Sequence, residues 1–471
     1  MGIINDIAME SQRIETNINN ALIEVKNRGV DVTDKTSDDL PSLVDSIYTE
    51  SIDPSKIELA CYNGTKWTEC NISGINARAR DAKYNNDIIV ASGISGMYYS
   101  MDGKEWHQSN LIEGVVVYFE YFNDSNMWLA TSRNGTESYS VYYSLDGKEW
   151  IQSNLTGKRI DVVKYSGGIF VAGSSNITDV GIYYSLDGKE WHQSNITEGV
   201  ANIEYANNIW RVICSTHNNY YIGCDLYYSL DGKEWIANGP AVGTFQNMKY
   251  ANGVWVVIGS DLCYSLDGKE WHESNVDVPE NTLLDKIFHV NDIWITIGHN
   301  VLYYSLNGKE WYPSNVTVTN TAIVNVEYAD GVWILDMYGI GIYYSLDGKT
   351  WIQSNTPSQM GRTPSKKFYH YNSIWIAWDE HGLYYSTDGK EWYQSNLTNG
   401  NFNSVLYNSG VYVAANWDPN YGNGYLCYSF DGKEWYQSTD ITEDWLDVLY
   451  YKNIWVAVGD KFYYSVTWED K

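Results

Sequence analysis

The chain has 471 residues with a formal charge of −28, and 15% of it is aromatic, including 42 Tyr and 21 Trp. That aromatic share provides for a large core and argues against disorder away from the ends. Only eight Arg are spread over the length, so no cluster of Lys and Arg exists to neutralise phosphates; nucleic acid and anionic membrane are not expected as partners. No run of about 18 apolar residues occurs, and the start "MGIINDIAMESQRIE" lacks a basic segment followed by an apolar one. Neither a signal peptide nor membrane insertion is expected. The six Cys show no CxxC spacing and read as small packing residues of a reducing compartment, Cys263 and Cys427 standing where other repeats carry Tyr. Sequons such as Asn154-Leu-Thr and Asn195-Ile-Thr then read as polar turns.

In residues 1–50, Ile4, Ile7, Ser11, Ile14, Ile18, Ala21 and Val25 follow a 3-4 spacing, the stripe of a short coiled coil, and Gly29 can cap its end. A second short helix is predicted with Leu40, Leu43, Val44 and Ile47 on one face and Pro41 in its first turn. This helical module is expected to attach or oligomerise the chain. β-Branched residues among Ile4, Ile7, Ile14, Ile18 and Val25 favour more than two strands, a trimer above all. The bland alternative is a helix packed beneath its own neighbouring domain.

From residue 51 onward the chain repeats itself. Ser-x-Asp/Asn-Gly-Lys-x-Trp recurs with its Asp or Asn at Asp102, Asp146, Asp187, Asp231, Asp267, Asn307, Asp347, Asp388 and Asp431, at spacings of 36 to 44 residues. That is the length of a four-stranded propeller blade. Within each unit, segments such as "YANGVWVVIG" and "YADGVWILD" place Asn-Gly or Asp-Gly between alternating runs, which predicts a type I′ hairpin of strands A and B. "YYSLDGKEWHQ" then supplies strands C and D. A two-residue Asp187-Gly188 turn would set Tyr184 opposite Trp191.

Before the first copy, "IELACYNGTKWTECNI" reads as one more C–D hairpin, with Asn63-Gly64 at its turn. After the last, "DVLYYKNIWVAVGDKFYYS" supplies A, B and a C-like strand. N-terminal outer strands completing the C-terminal blade would leave no open edge. The expected fold is all-β: a β-propeller of about ten blades closed by strand sharing over residues 51–471, with two five-bladed rings as the alternative.

Ser185-Leu-Asp-Gly-Lys-Glu-Trp191 resembles the Asp-box (BNR) repeat of sialidases and sortilin-type propellers, one residue shorter than the usual pattern. The recurring "YxNGxWVxVG…YSxDGxxW" is more similar still to the repeats of bacteriophage tail-associated β-propeller proteins, and covers residues 57 to 468. The order helix, "NRGVDV", a Thr/Ser/Asp loop and "DLPSLVDSI" resembles N-terminal modules of phage fibre and tail proteins. The resemblance implies a virion location and a tail fibre, spike or receptor-binding adhesin. Its partners would be other tail or capsid proteins, held through the N-terminal helices, and a host cell-surface glycan or protein.

A sialidase would need an arginine triad, and no Arg sits in an Arg-Ile-Pro context; HExxH, GxSxG and Walker A motifs do not occur. No catalytic residue, metal or cofactor is therefore expected. His107, His192 and His272 follow the motif Trp and read as parts of the repeat. A–B and C–D turns are nearly constant, whereas B–C and D–A connections vary and share the opposite face. Their exposed aromatic and amide side chains suit sugar recognition. The candidate ligand-binding residues are His217, Tyr220 and Tyr221 in one long B–C connection, and Trp417, Asp418 and Tyr421 in another. The rival readings are a head fibre or decoration protein without an essential receptor, and a sialidase-like glycosidase.

Overall fold

The computed structural model describes residues 64 and 66–466, apart from segments 71–78, 112–113, 135–137, 175–180, 216–223, 241–243, 299–300, 317–322, 338–340, 358–359, 361–367, 399–400, 418–423, 439–440 and 442–446 and residues 86, 95, 161, 281 and 380. The expected helical module and its stripe Ile4, Ile7, Ile14, Ile18 and Val25 lie outside the described residues.

Forty strands form ten antiparallel sheets of four. Each sheet is apolar on both faces along strand B, as in Ile293–Gly298 and Val254–Gly259, where every residue is buried. A sheet of this kind must be covered twice, and ten apolar clusters do so. One joins Val256 and Ile258 of blade 5 to Leu284 and Trp294 of blade 6. Another joins Val456 and Phe462 of the last blade to Ile89 and Tyr98 of the first. Every blade thus meets two neighbours, and the fold is one ring of ten blades rather than two rings of five. Cys263 and Cys427 are buried, free thiols in the core, and burial pushes the Cys427 thiol up to about 12.

The A–B turns are of the expected kind. Asn252 and Gly253 have φ of +47° and +79°, and Asn207 with Asn208 repeats the pattern. Two successive positive values define the type I′ hairpin and explain the Asn and Gly there.

The C–D connection differs from the two-residue turn expected. Tyr184 pairs with His192 and Tyr183 with Gln193, so Ser185 to Trp191 take no part in the C–D ladder. Side-chain hydrogen bonds replace the missing rungs. Gly188 N–H donates to Ser185 Oγ at 2.8 Å, while Lys189 and Glu190 N–H donate to Asp187 Oδ1 at 2.9 and 3.0 Å. Trp191 Nε1 closes the loop on Gly188 O at 3.1 Å, and its ring is buried in the seam. Ser and Asp compete effectively for local backbone donors, and that competition defeats the shorter turn. Of the two turn residues only Gly188 has positive φ. The partner of Tyr184 across the strands is therefore the His192 ring, not Trp191.

Neighbouring blades are stitched outside the apolar clusters as well. Asn195 Oδ1 accepts from Trp235 N–H at 2.9 Å and its Nδ2 donates to Trp235 O at 2.8 Å. The same amide clamp joins Asn154 to Trp191, Asn315 to Trp351 and Asn396 to Trp435. The sequon asparagines 154 and 195 are thus bonded on both amide atoms. Box lysines add a second stitch, Lys189 lying 5.5 Å from the Tyr143 ring of the blade before.

Ring closure splits one repeat between the two chain ends. Strands Asp447–Tyr451, Ile454–Val458 and Phe462–Val466 are completed by Thr68–Glu69, with Thr68 opposite Tyr464. Gly64 N–H donates to Ser465 Oγ, and Trp67 Nε1 donates to Gly64 O at 3.1 Å. Gly64 thus stands at a box turn whose C strand is Phe462–Val466.

Candidate functional site

The two ends of the blades differ in kind. At the A–B and C–D end, all nine full boxes share the same Asp or Asn contacts, although Trp271 Nε1 donates to Asn238 O and not to its own box Gly. Each Asp carboxylate accepts two backbone N–H groups, as at Asp102, Asp388 and Asp431, and Asn307 does the same with its amide oxygen. Burial pushes the Asp187 carboxyl up, but donation from Glu190 and Lys189 N–H and the Ser185 hydroxyl outweighs it and holds the group below its ordinary value. Asp102, Asp146, Asp231, Asp347, Asp388 and Asp431 show the same balance, and in Asp267 the backbone donors lead. These carboxylates hold loops.

The opposite end is irregular. Strands B and C are joined by two residues between Gly259 and Leu262 and between Gly298 and Val301. Long connections run from Ser215 to Cys224 and from Trp417 to Tyr425, as expected, and a third from Gly173 to Tyr183. Of the candidate ligand-binding residues, His217, Tyr220, Tyr221, Asp418 and Tyr421 lie outside the described residues. Trp417 ends strand Val411–Trp417, its backbone opposite Asn401. The strands flanking the two groups belong to blades 4 and 9.

A site the sequence reading missed lies at the same irregular end. A cavity of about 410 Å³ between blades 1 and 2 is lined by Asp81, Lys83, Ser92, Arg159 and the strand segment from Val115 to Phe119. Bulges build it. In both A strands one residue drops out of the ladder, between Ala79 and Asp81 and between Val116 and Tyr118, so Asp81 and Tyr118 resume the pairing one position on, opposite Ser92 and Thr131. At the equivalent position blades 4, 5 and 7 carry Asn202, Asn247 and Asn325, blade 6 Lys286 and blade 9 Ser404, and Asn202 bonds Asn247 at 2.9 Å. Asp81 and Tyr118 are the residues that blades 1 and 2 place there.

Electrostatics in the cavity are mixed. Burial raises the Asp81 carboxyl above its ordinary value, with Lys83 opposing and Glu120 adding to the effect. Burial, then Glu120, raises the Tyr118 hydroxyl. Lys83 Nζ reaches Glu120 Oε2 at 2.5 Å and Phe119 O at 2.9 Å, so its charge is already partnered. Among the described residues no group of three His, Cys, Asp or Glu could hold a metal ion.

The sequence matches no described protein family and no curated protein. Among solved structures the chain is similar to the computationally designed Ika8 protein, with TM-score 0.42 and 9% identity over 69% of this chain and 98% of the other. YCF48 bound to a D1 peptide gives TM-score 0.35 and 14% identity over 58% and 92%. The extracellular domain of a one-component system of B. thetaiotaomicron gives 0.32 and 9% over 87% and 74%. At these values the likenesses carry no functional argument, and the class is defined by the ring itself: a ten-bladed β-propeller of four-stranded blades.

Proposed function

We propose that the protein is a non-enzymatic binding protein of a phage virion, a tail fibre, spike or receptor-binding adhesin that recognises a host surface glycan or protein through the irregular end of the propeller. The observation carrying this reading is the contrast between the two ends. Box carboxylates at one end are consumed by their own loops, while connections at the other differ from blade to blade on a common frame, the arrangement that lets a rigid scaffold present variable contacts. The virion assignment rests on the similarity of the repeat and of residues 1–50 to phage tail and fibre proteins. Residues 1–50 then supply attachment to a tail or capsid partner and trimerisation.

A labelled antibody on intact particles tests the assignment: decoration at the tail tip supports it, and decoration over the head favours the fibre or decoration protein without essential receptor. Release of sugar from host walls, abolished by changing one loop carboxylate, would establish a glycosidase instead. Light scattering of the full chain against a shortened chain starting at Ser51 tests trimerisation. Two monomers would leave docking as the module's role.

A further inference from the structure

We propose that the cavity between blades 1 and 2 binds a single uncharged sugar ring, presented as a terminal unit of a surface glycan. This deepens the adhesin reading and rests on it. The Asp81 carboxyl supplies acceptors, the Ser92 hydroxyl both a donor and an acceptor, and the Arg159 guanidinium donors, all around one cavity of about 410 Å³. That volume falls in the range of about 300–1,000 Å³ typical of small-molecule sites. Val115, Val116 and Val117 give the lining an apolar part, suited to the C–H face of a pyranose.

Other ligand classes fit less well. An apolar molecule would strip water from Asp81 and Ser92 without replacing its hydrogen bonds. A carboxylate or phosphate meets the Arg159 guanidinium only beside the Asp81 carboxyl, and the Lys83 charge is already taken by Glu120, so the lining offers it no excess of positive charge. Vicinal hydroxyls donate to a carboxylate and accept from a guanidinium at once, so a neutral polyol uses both. At the same bulge position blades 1 and 2 carry Asp81 and Tyr118, whereas blades 4 and 5 carry Asn202 and Asn247, already bonded to one another.

The test is saturation-transfer NMR on the full chain with methyl glycosides of glucose, galactose, mannose and N-acetylglucosamine, and with glucuronate and inorganic phosphate as charged probes. At least one neutral glycoside should bind. Asp81→Asn should weaken it about tenfold or more, the loss of one charge-assisted hydrogen bond. Val117→Trp, at a half-exposed bulge position, should fill the cavity and abolish binding while the melting temperature holds. Binding of the charged probes alone, of no probe, or of a glycoside equally by both variants and the parent overturns the proposal. Adhesion to host cells separates this from the wider reading: glycoside binding without adhesion overturns only the adhesin. Adhesion retained by both variants after glycoside binding is lost removes this cavity from adsorption.

Discussion

The Gly64 amide donates to the Ser465 hydroxyl at 2.7 Å, across 401 residues of sequence. The contact is the same Gly-to-Ser bond that each internal box makes locally, as between Gly188 and Ser185 at 2.8 Å. Here it joins the two ends of the ring. Ser465→Ala leaves a buried N–H without an acceptor and should cost about 1–3 kcal/mol. Ser185→Ala should cost a similar amount, but its loop remains tethered on both sides. Only Ser465→Ala should therefore release strand Thr68–Glu69, expose an edge and promote concentration-dependent association. Thermal melts and light scattering of the two variants check this; identical behaviour would contradict closure by strand sharing.

Acid should loosen the boxes in a defined direction. In the folded chain the box aspartates are held below their ordinary value, so their contribution is fully present above the unfolded value of about 3.9 and is lost as pH falls through the lower folded values. Stability from this source should be flat between neutrality and about pH 5 and decline below about pH 4. Asn307 makes the same two backbone contacts without a titratable group. Asp187→Asn, which copies that natural case, should be tolerated at neutral pH and should blunt the acid loss, measured by denaturant melts across pH. A steeper acid loss in the variant would contradict the mechanism.

The amide clamps make a sharper substitution possible. Asn195 donates and accepts against the Trp235 backbone, so Asn195→Asp keeps the acceptor and sets a carboxylate oxygen against the Trp235 carbonyl. The expected cost is about 1–3 kcal/mol. The nitrogen that a sequon would glycosylate is the one bonded to Trp235 O, so chain secreted from a eukaryotic cell should be either folded and unmodified at Asn195 or modified and less stable. Mass spectrometry of the folded fraction checks this, and full occupancy in stable protein would contradict the clamp.

Arg211 breaks the repeat. Val171 and Val256 hold the equivalent strand-B position in blades 3 and 5, packed into their seams, whereas Arg211 is 0% exposed and stacks 4.9 Å from the Trp271 ring. Its Nη1 donates to Asn238 O at 3.1 Å, but Nε and Nη2 find no partner, and burial pushes the guanidinium down to about 9, with Asp267 and Tyr228 opposing. A buried cation with an unfilled fork disfavours the fold, so Arg211→Ile should stabilise by about 1–4 kcal/mol at neutral pH. A lowered folded value means the penalty is present below about 9 and shrinks as pH rises past it. A lower melting temperature in Arg211→Ile would show the fork to be bonded.

What was legible in the sequence was what repeats. Asn252-Gly253 marked a hairpin because few residues other than Asn, Asp and Gly readily hold two positive φ angles in succession. The end segments showed a shared blade because Trp67 matched the box Trp. Asp187-Gly188 misled because the same dipeptide serves a longer loop when a Ser two residues earlier can cap its amides. The cavity was hidden because a bulge shifts register by one residue without a signature of its own, so Asp81 and Tyr118 looked like ordinary strand positions. Arg211 was counted as one scattered Arg, and only the seam shows what it faces.

Competition for adsorption tests the central claim most directly. Purified full-length protein, added in excess to the bacterium on which particles carrying it are grown, should occupy the receptor and lower adsorption of those particles. Trp417→Ala or Val117→Trp at the irregular end should weaken that competition, while Asp187→Asn at the regular end should leave it unchanged. Adsorption undiminished by the intact protein, or competition lost equally in all three variants, would contradict a propeller that binds the host through its irregular end.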